Sequence, residues 1–237
     1  MSFRRNAILI ALMLMGAVFL VAEDFWENPF DKWSRDDVLK ILGNSPWAAS
    51  QTITHAGLTK EGGRSGENET YYKFTASFFS AMPIREAWVR MSRLRNNYDG
   101  MNAEQKQQFD ARFNKPLTLD FSNQIVVALD YSSNPNDANF VRDIKNFLET
   151  ATAETLKQNV YLITKGKGRV DLKEYYRPGQ MIPAPAFVFP RTIDGKPIVA
   201  AEDKELRFQV GWVAGVNQQV YIDFKPQKMT YKGKLEL

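Results

Sequence analysis

His55 is the only histidine in the chain, and there is no cysteine. Those two facts remove most familiar reaction centres. A multi-histidine zinc site, a thiolate nucleophile, a disulfide and lipid attachment at cysteine all need residues this sequence lacks. A Ser-His pair would have to use His55, and no Gly-x-Ser-x-Gly turn accompanies a candidate serine. A lone histidine on a short strand reads as structural or exposed.

Carboxylates are the next resource. Asp120 and Asp130 lie at the two ends of an apolar stretch. On neighbouring strands they would form a pair of the kind glycosidases use, at separations of about 5–10 Å. The competing reading is two solvated or salt-bridged acids. Asp194, Glu202 and Asp203 fall in expected turns without calcium-loop spacing. Arg85, Arg90, Arg93 and Arg95 suggest an anion site, but helical spacing spreads them around a solvated face, with Glu86 and Arg90 as an i,i+4 pair. The Glu61–Glu67 segment is glycine-rich yet lacks the Lys-Ser/Thr ending of a phosphate loop, and Asn68-Glu69-Thr70 matches a glycosylation acceptor.

One polar-aromatic cluster remains, Tyr175-Tyr176-Arg177-Pro178-Gly179, beside the proline-rich Met181–Ala186 segment. Aromatic and arginine side chains on a loop suit a protein interface, so Tyr175, Tyr176 and Arg177 are the candidate partner contacts. The alternative puts one tyrosine in the core and leaves the other partly exposed. No residue is assigned to catalysis, to a cofactor or to a metal.

The elements that must position these residues are organised around Gln124–Tyr131. Ile125, Val127, Leu129 and Tyr131 alternate with Val126, Ala128 and Asp130, apolar on both faces until Asp130, as in a central strand covered on each side. Ser34 and Asp37 form a capping box for a helix that Gly43 and Asn44 end, and Trp47 is expected in the core. Gln51–His55 and Tyr72–Phe78 read as strands. Pro83 opens a helix with Ile84, Ala87, Trp88, Met91, Leu94 and Tyr98 on one stripe. Asn102–Phe113 reads as a helix. Leu117, Leu119 and Phe121 alternate as a short strand that would pair with the central one. Ser133 and Asn134 are expected to cap a further helix with Pro135 in its first turn, whose buried face is Phe140, Val141, Ile144, Phe147 and Leu148.

After Gln158 the pattern becomes short strands between turn signals. Val160–Thr164 and Arg169–Tyr175 flank Gly166-Lys167-Gly168 as one hairpin. Phe187–Pro190 and Pro197–Ala200 flank Asp194-Gly195 as another, and alternating runs follow from Leu206 and from Val220. The fold expected is α+β, an antiparallel sheet or sandwich with three to four amphipathic helices packed on it. Residues 23–237 form a single domain in this reading, helix-rich over 23–158 and β-rich over 159–237.

Residues 1–22 read as a signal peptide. Arg4 and Arg5 precede an apolar run of sixteen residues, Ala7–Ala22, short of the ~17–25 that a spanning helix needs. The alternative is an inner-membrane anchor over residues 7–22, which would make the membrane a partner. Cleavage after Ala22 lowers the formal charge from +4 to +2, because the segment holds two arginines and no acid. Basic and acidic residues are interleaved elsewhere, so nucleic acid is not expected as a partner.

Trp33-Ser-Arg-Asp-Asp37 leading to Ser45-Pro-Trp-Ala48, with Pro83-Ile-Arg-Glu-Ala-Trp88, resembles segments of uncharacterised exported bacterial proteins loosely grouped with GWxTD-domain proteins. Gly211-Trp212 continues as Val-Ala-Gly and lacks the namesake x-Thr-Asp. The resemblance implies an envelope or secreted protein and supplies no catalytic residue. The leading expectation is an exported, non-catalytic protein in the periplasm or outside the cell that binds an envelope protein. The alternatives are a periplasmic glycan hydrolase using Asp120 and Asp130, and a small-molecule or lipid carrier with its pocket between the helices and the β-rich half.

Overall fold

The computed structural model describes residues 24–56, 69–134, 138–211 and 219–237, with the side chains at 55, 56, 69, 70, 134 and 138 outside that description. The expectations for residues 1–22, the 61–67 loop, the Asn68 acceptor, Pro135, Trp212 and the His55 side chain lie outside it as well. The fold is α+β.

Two antiparallel sheets form its centre. The larger contains β1 (Ala48–Ala56), β2 (Glu69–Phe78), β3 (Gln124–Asn134), β7 (Ala186–Pro190) and β6 (Glu174–Tyr176), in the order β1-β2-β3-β7-β6. The strand expected at the centre is there: β3 lies between β2 and β7, and Ile125 to Leu129 are buried on both faces. The smaller sheet has the order β11-β10-β4-β5, from β4 (Val160–Thr164), β5 (Gly168–Asp171), β10 (Leu206–Val210) and β11 (Val220–Phe224). Two short hairpins complete the strands, β8 (Thr192–Ile193) with β9 (Lys196–Pro197) and β12 (Thr230–Tyr231) with β13 (Lys234–Leu235).

The helices are α1 (Arg35–Gly43), α2 (Met82–Arg95), α3 (Ala103–Phe113), α4 (Lys115–Thr118), α5 (Ala138–Thr150) and α6 (Ala153–Leu156). The Ser34–Asp37 capping box starts α1, its Ser34 Oγ accepting from the Asp37 N–H at 3.1 Å and Asp37 Oδ2 from the Ser34 N–H at 3.0 Å. Asn102 and Gln105 form the same box on α3. Helix α2 starts at Met82, one residue before Pro83, and Ala81 offers it no side-chain cap. The Glu236 carboxylate accepts the Met82 N–H instead, at 3.0 Å, and brings negative charge to the positive end of the helix.

These elements make three layers. One face of the larger sheet carries Phe78, Phe187 and Phe189. Phe78 meets Phe224 edge-on at 4.8 Å, and Phe187 and Phe189 meet Phe208 of the smaller sheet. At the other end of that face α5 packs, with Phe140 stacked on Tyr72 at 3.7 Å. The opposite face lies under α1 and α2. Trp47 is fully buried, as expected, and its indole N–H donates to the Glu236 carbonyl at 3.1 Å. One continuous hydrophobic cluster includes residues from before and after Gln158.

Several local expectations are corrected. Leu117 to Phe121 is not a strand. Pro116 sits in the first turn of α4, and the Arg85 guanidinium takes the Pro116 and Leu119 carbonyls at 3.1 and 2.9 Å, so those acceptors do not face β3. The second strand of the first hairpin ends at Asp171, and Tyr175 belongs to the other sheet. Around Asp194-Gly195 the paired strands are β8 and β9, with both turn residues at positive φ, while Phe187–Pro190 pairs with β3 and β6. Ser133 and Asn134 end β3.

Candidate functional site

The arginine series on α2 is not a solvated face. Arg85 is 5% exposed and Arg90 8%. Arg85 forks between the carbonyls named above and that of Ser80, and burial lowers its pKa. Arg90 Nε donates to the Trp33 carbonyl at 2.9 Å, and Arg93 pairs with Asp110 at 3.0 Å. Glu86 does not pair with Arg90. It accepts from the Tyr231 hydroxyl and faces Lys232 at 3.6 Å, while burial holds its carboxyl above the usual range. These charges fasten loops and the C-terminal hairpin to α2, and only Arg95 of the four arginines is exposed.

Asp120 and Asp130 do not form a pair. Asp130 lies six residues up β3 from Gln124, roughly 20 Å away at ~3.3 Å per residue. Asp120 is outside the sheet beyond the other end, where the Ser122 backbone N–H and hydroxyl bond its carboxylate and lower its pKa. The expected hairpin that would have brought them together does not form.

Tyr175, Tyr176 and Arg177 leave the short edge strand β6. The half-buried Tyr175 ring lies against Phe187, and its hydroxyl donates to the Leu148 carbonyl at 2.7 Å. Arg177 is exposed, with Nε reaching the Ala151 carbonyl at 3.3 Å. Both tie the edge strand to the end of α5. Tyr176 points to the other face, its hydroxyl on Glu174 at 2.9 Å. Register puts Ser77, Ala128, Ala186 and Tyr176 in one row across β2, β3, β7 and β6. Tyr176 is therefore on the same sheet face as Ala128, two strands or about 10 Å away.

That face holds a concave surface with an unpaired charge above an apolar floor. A groove of about 340 Å³ runs between α1, α2 and the larger sheet. Leu39, Leu42, Trp88 and Met91 form its walls, with Thr75, Ser92, Arg95 and Asp130 at its edges. Beneath Asp130 a recess of about 50 Å³ reaches Ser77, Ala128 and Ala184. Leu39 is 50% exposed, a large apolar side chain left uncovered on α1. Asp130 is exposed to solvent on its open side, and the apolar neighbours desolvate its carboxylate in part and raise its pKa. No hydrogen bond or ion pair reaches it from the described residues. The hydroxyl opposite, on Thr75, is engaged with Ser50 at 2.8 Å.

A larger cleft of about 780 Å³ lies between Asp24, Trp26, Pro46 and Lys225. Its charges are mixed in sign, and Asp223 is already held by Arg207 in a two-pronged pair at 2.6 and 3.0 Å. Among the described residues no three His, Cys, Asp or Glu side chains converge, and no helix is long and apolar enough to cross a membrane.

Sequence reasoning singled out Asp130 but gave it the wrong companion, and it missed the groove. One signal was available. Val38, Leu39, Ile41 and Leu42 read as one helical face, but they spread over roughly 160° of the helix, and Leu39, at one margin of that arc, is the one left uncovered. Comparison of the chain with protein-family models, with curated proteins and with solved structures finds no match.

Proposed function

We propose that the chain is an exported, non-catalytic domain that binds a protein partner in the bacterial envelope. The observation that carries this reading is the continuity of one surface. The groove with its uncovered Leu39 and unpaired Asp130 shares a sheet face with Tyr176, and Arg177, next along the chain at the sheet edge, turns its side chain to the end of α5. Protein contacts favour aromatic and arginine side chains around a desolvated centre. The other notable acids and arginines are already committed to the fold, as Glu86, Arg85 and Arg90 are. Export rests on the sequence of residues 1–22, with anchoring by residues 7–22 as its alternative.

In-cell crosslinking from a photoreactive residue at Arg177 tests the reading, with mass spectrometry of the adduct and of the protein's N-terminus. One dominant envelope protein is the expected adduct, and Glu23 the expected N-terminus. Turnover of a substrate, abolished by a single substitution that leaves the fold intact, would overturn it. A small-molecule carrier is the second reading, because the groove lies at the lower end of the roughly 300–1,000 Å³ range of ligand pockets. Its location differs from the one a carrier was expected to use, since it lies under the helix pair and not between the helices and the β-rich half.

A further inference from the structure

We infer that the groove between α1, α2 and β3 receives a lysine side chain presented by the partner protein, with its ammonium on the Asp130 carboxylate and its aliphatic stem along Leu42, Trp88 and Met91. The inference rests on the interaction reading above and names the chemistry of the contact.

A strand apolar on both faces carries an acid where a threonine or valine would pack without cost. An acid placed to stabilise the sheet would bond across it. The facing Thr75 hydroxyl is turned to Ser50, and neither Lys73 nor Arg95 makes an ion pair with Asp130. Asp130 is exposed, so water hydrates its open side, but beside the apolar walls it has no protein partner and is available to a cation from outside.

The walls fit such a cation. A lysine stem is a four-carbon chain that gains from apolar cover while its head stays polar. Leu42 and Met91 supply that cover, and the Trp88 ring attracts a cation over its face. The indole N–H of Trp88 has no partner among the described residues and is free to meet a carbonyl of the incoming chain. The recess of about 50 Å³ beneath Asp130 has room for an ammonium-sized group and little more, which favours lysine over the planar guanidinium of arginine. Arg95 is exposed at the α2 side of the groove, so an acidic residue beside the lysine would complete the charge match.

The test uses the exported protein and three small probes, Nα-acetyl-lysine methylamide and its norleucine and arginine counterparts. The Trp88 indole resonance in ¹H–¹⁵N spectra is the readout. A saturable shift with the lysine amide is expected, at least tenfold weaker with norleucine and in Asp130→Asn, and unchanged in Asp120→Asn. Thermal melting verifies that both variants are folded. Equal response to norleucine, equal response in Asp130→Asn, tighter binding of the arginine amide, or no shift at 50-fold molar excess would each overturn the assignment.

The Arg177 crosslink, repeated in Asp130→Asn, separates this inference from the one it rests on. Loss of most of the adduct supports both. An adduct of undiminished yield overturns the lysine site and leaves the interaction domain standing. Saturable lysine binding with no captured protein overturns the interaction reading, and the partner clause with it.

Discussion

Asp130 and Glu86 both sit above the ordinary carboxyl range because burial disfavours their charge, but only Glu86 has partners. The two acids therefore respond differently to substitution. For Asp130 the folded pKa exceeds the unfolded one, so its ionised form weakens the fold at neutral pH. That penalty is complete above the folded pKa, shrinks as pH falls through it, and is gone below the unfolded value of about 3.9. Asp130→Asn is expected to raise the stability measured by urea unfolding at pH 7, by on the order of 0.5 kcal/mol because the exposed side of the carboxyl remains hydrated, and to leave it unchanged near pH 3, well below the unfolded pKa. A substitution that stabilises the fold while removing ligand binding would mark a residue kept for recognition. Glu86 is shifted in the same direction, but a substitution there has the opposite effect on stability because it removes a partner. Tyr231→Phe removes the hydroxyl that Glu86 accepts from and leaves a buried carboxylate facing Lys232 alone. A loss of about 2 kcal/mol is expected in the same urea series.

At the scale of elements, α2 is the part that loops and tail are fastened to. Arg85 bonds the carbonyls of Ser80, Pro116 and Leu119 through a planar fork. A lysine ammonium cannot span those acceptors in the same way, so Arg85→Lys is expected to cost about 2 kcal/mol and to speed amide exchange at Leu117 to Phe121. Glu236→Ala takes away the cap of α2 and is expected to cost about 1 kcal/mol, with Glu236→Gln recovering part of it, both measured by thermal melting. These contacts also explain what the sequence made legible. β3 and the Ser34–Asp37 box were readable because their patterns are local, closed within a few residues. The Leu117-Leu119-Phe121 alternation was misread because its carbonyls answer to Arg85, more than thirty residues earlier. Arg90 looked solvated because its acceptor, the Trp33 carbonyl, lies 57 residues away. The groove escaped notice for the same reason. Its floor and walls come from α1, α2 and two strands, and no periodicity says which helix crosses which sheet.

For the whole molecule, the question is whether the helix-rich and β-rich parts unfold together. The rings that join the sheets bear on it most directly. Phe208, in the smaller sheet, is fully buried against Phe187 and Phe189 of the larger one, and Phe224 is packed edge-on to Phe78. Phe208→Ala removes a ring from both layers at once and is expected to cost about 3–5 kcal/mol. If the layers share one cooperative core, that loss must appear in every probe. Four of the five tryptophans, Trp26, Trp33, Trp47 and Trp88, lie in the helix-rich part and dominate the emission, so tryptophan emission and far-ultraviolet circular dichroism should shift to the same lower urea midpoint in Phe208→Ala. Amide exchange at β10 and α2 should accelerate together. A midpoint by emission that stays at the wild-type value while β10 amides exchange would show that the smaller sheet opens by itself. That result would leave the groove intact on a stable half-molecule, with lysine binding unchanged by Phe208→Ala. A cooperative core instead ties the groove to the far sheet, and the lysine-induced shift of the Trp88 indole should then be lost at the same urea concentration at which β10 unfolds.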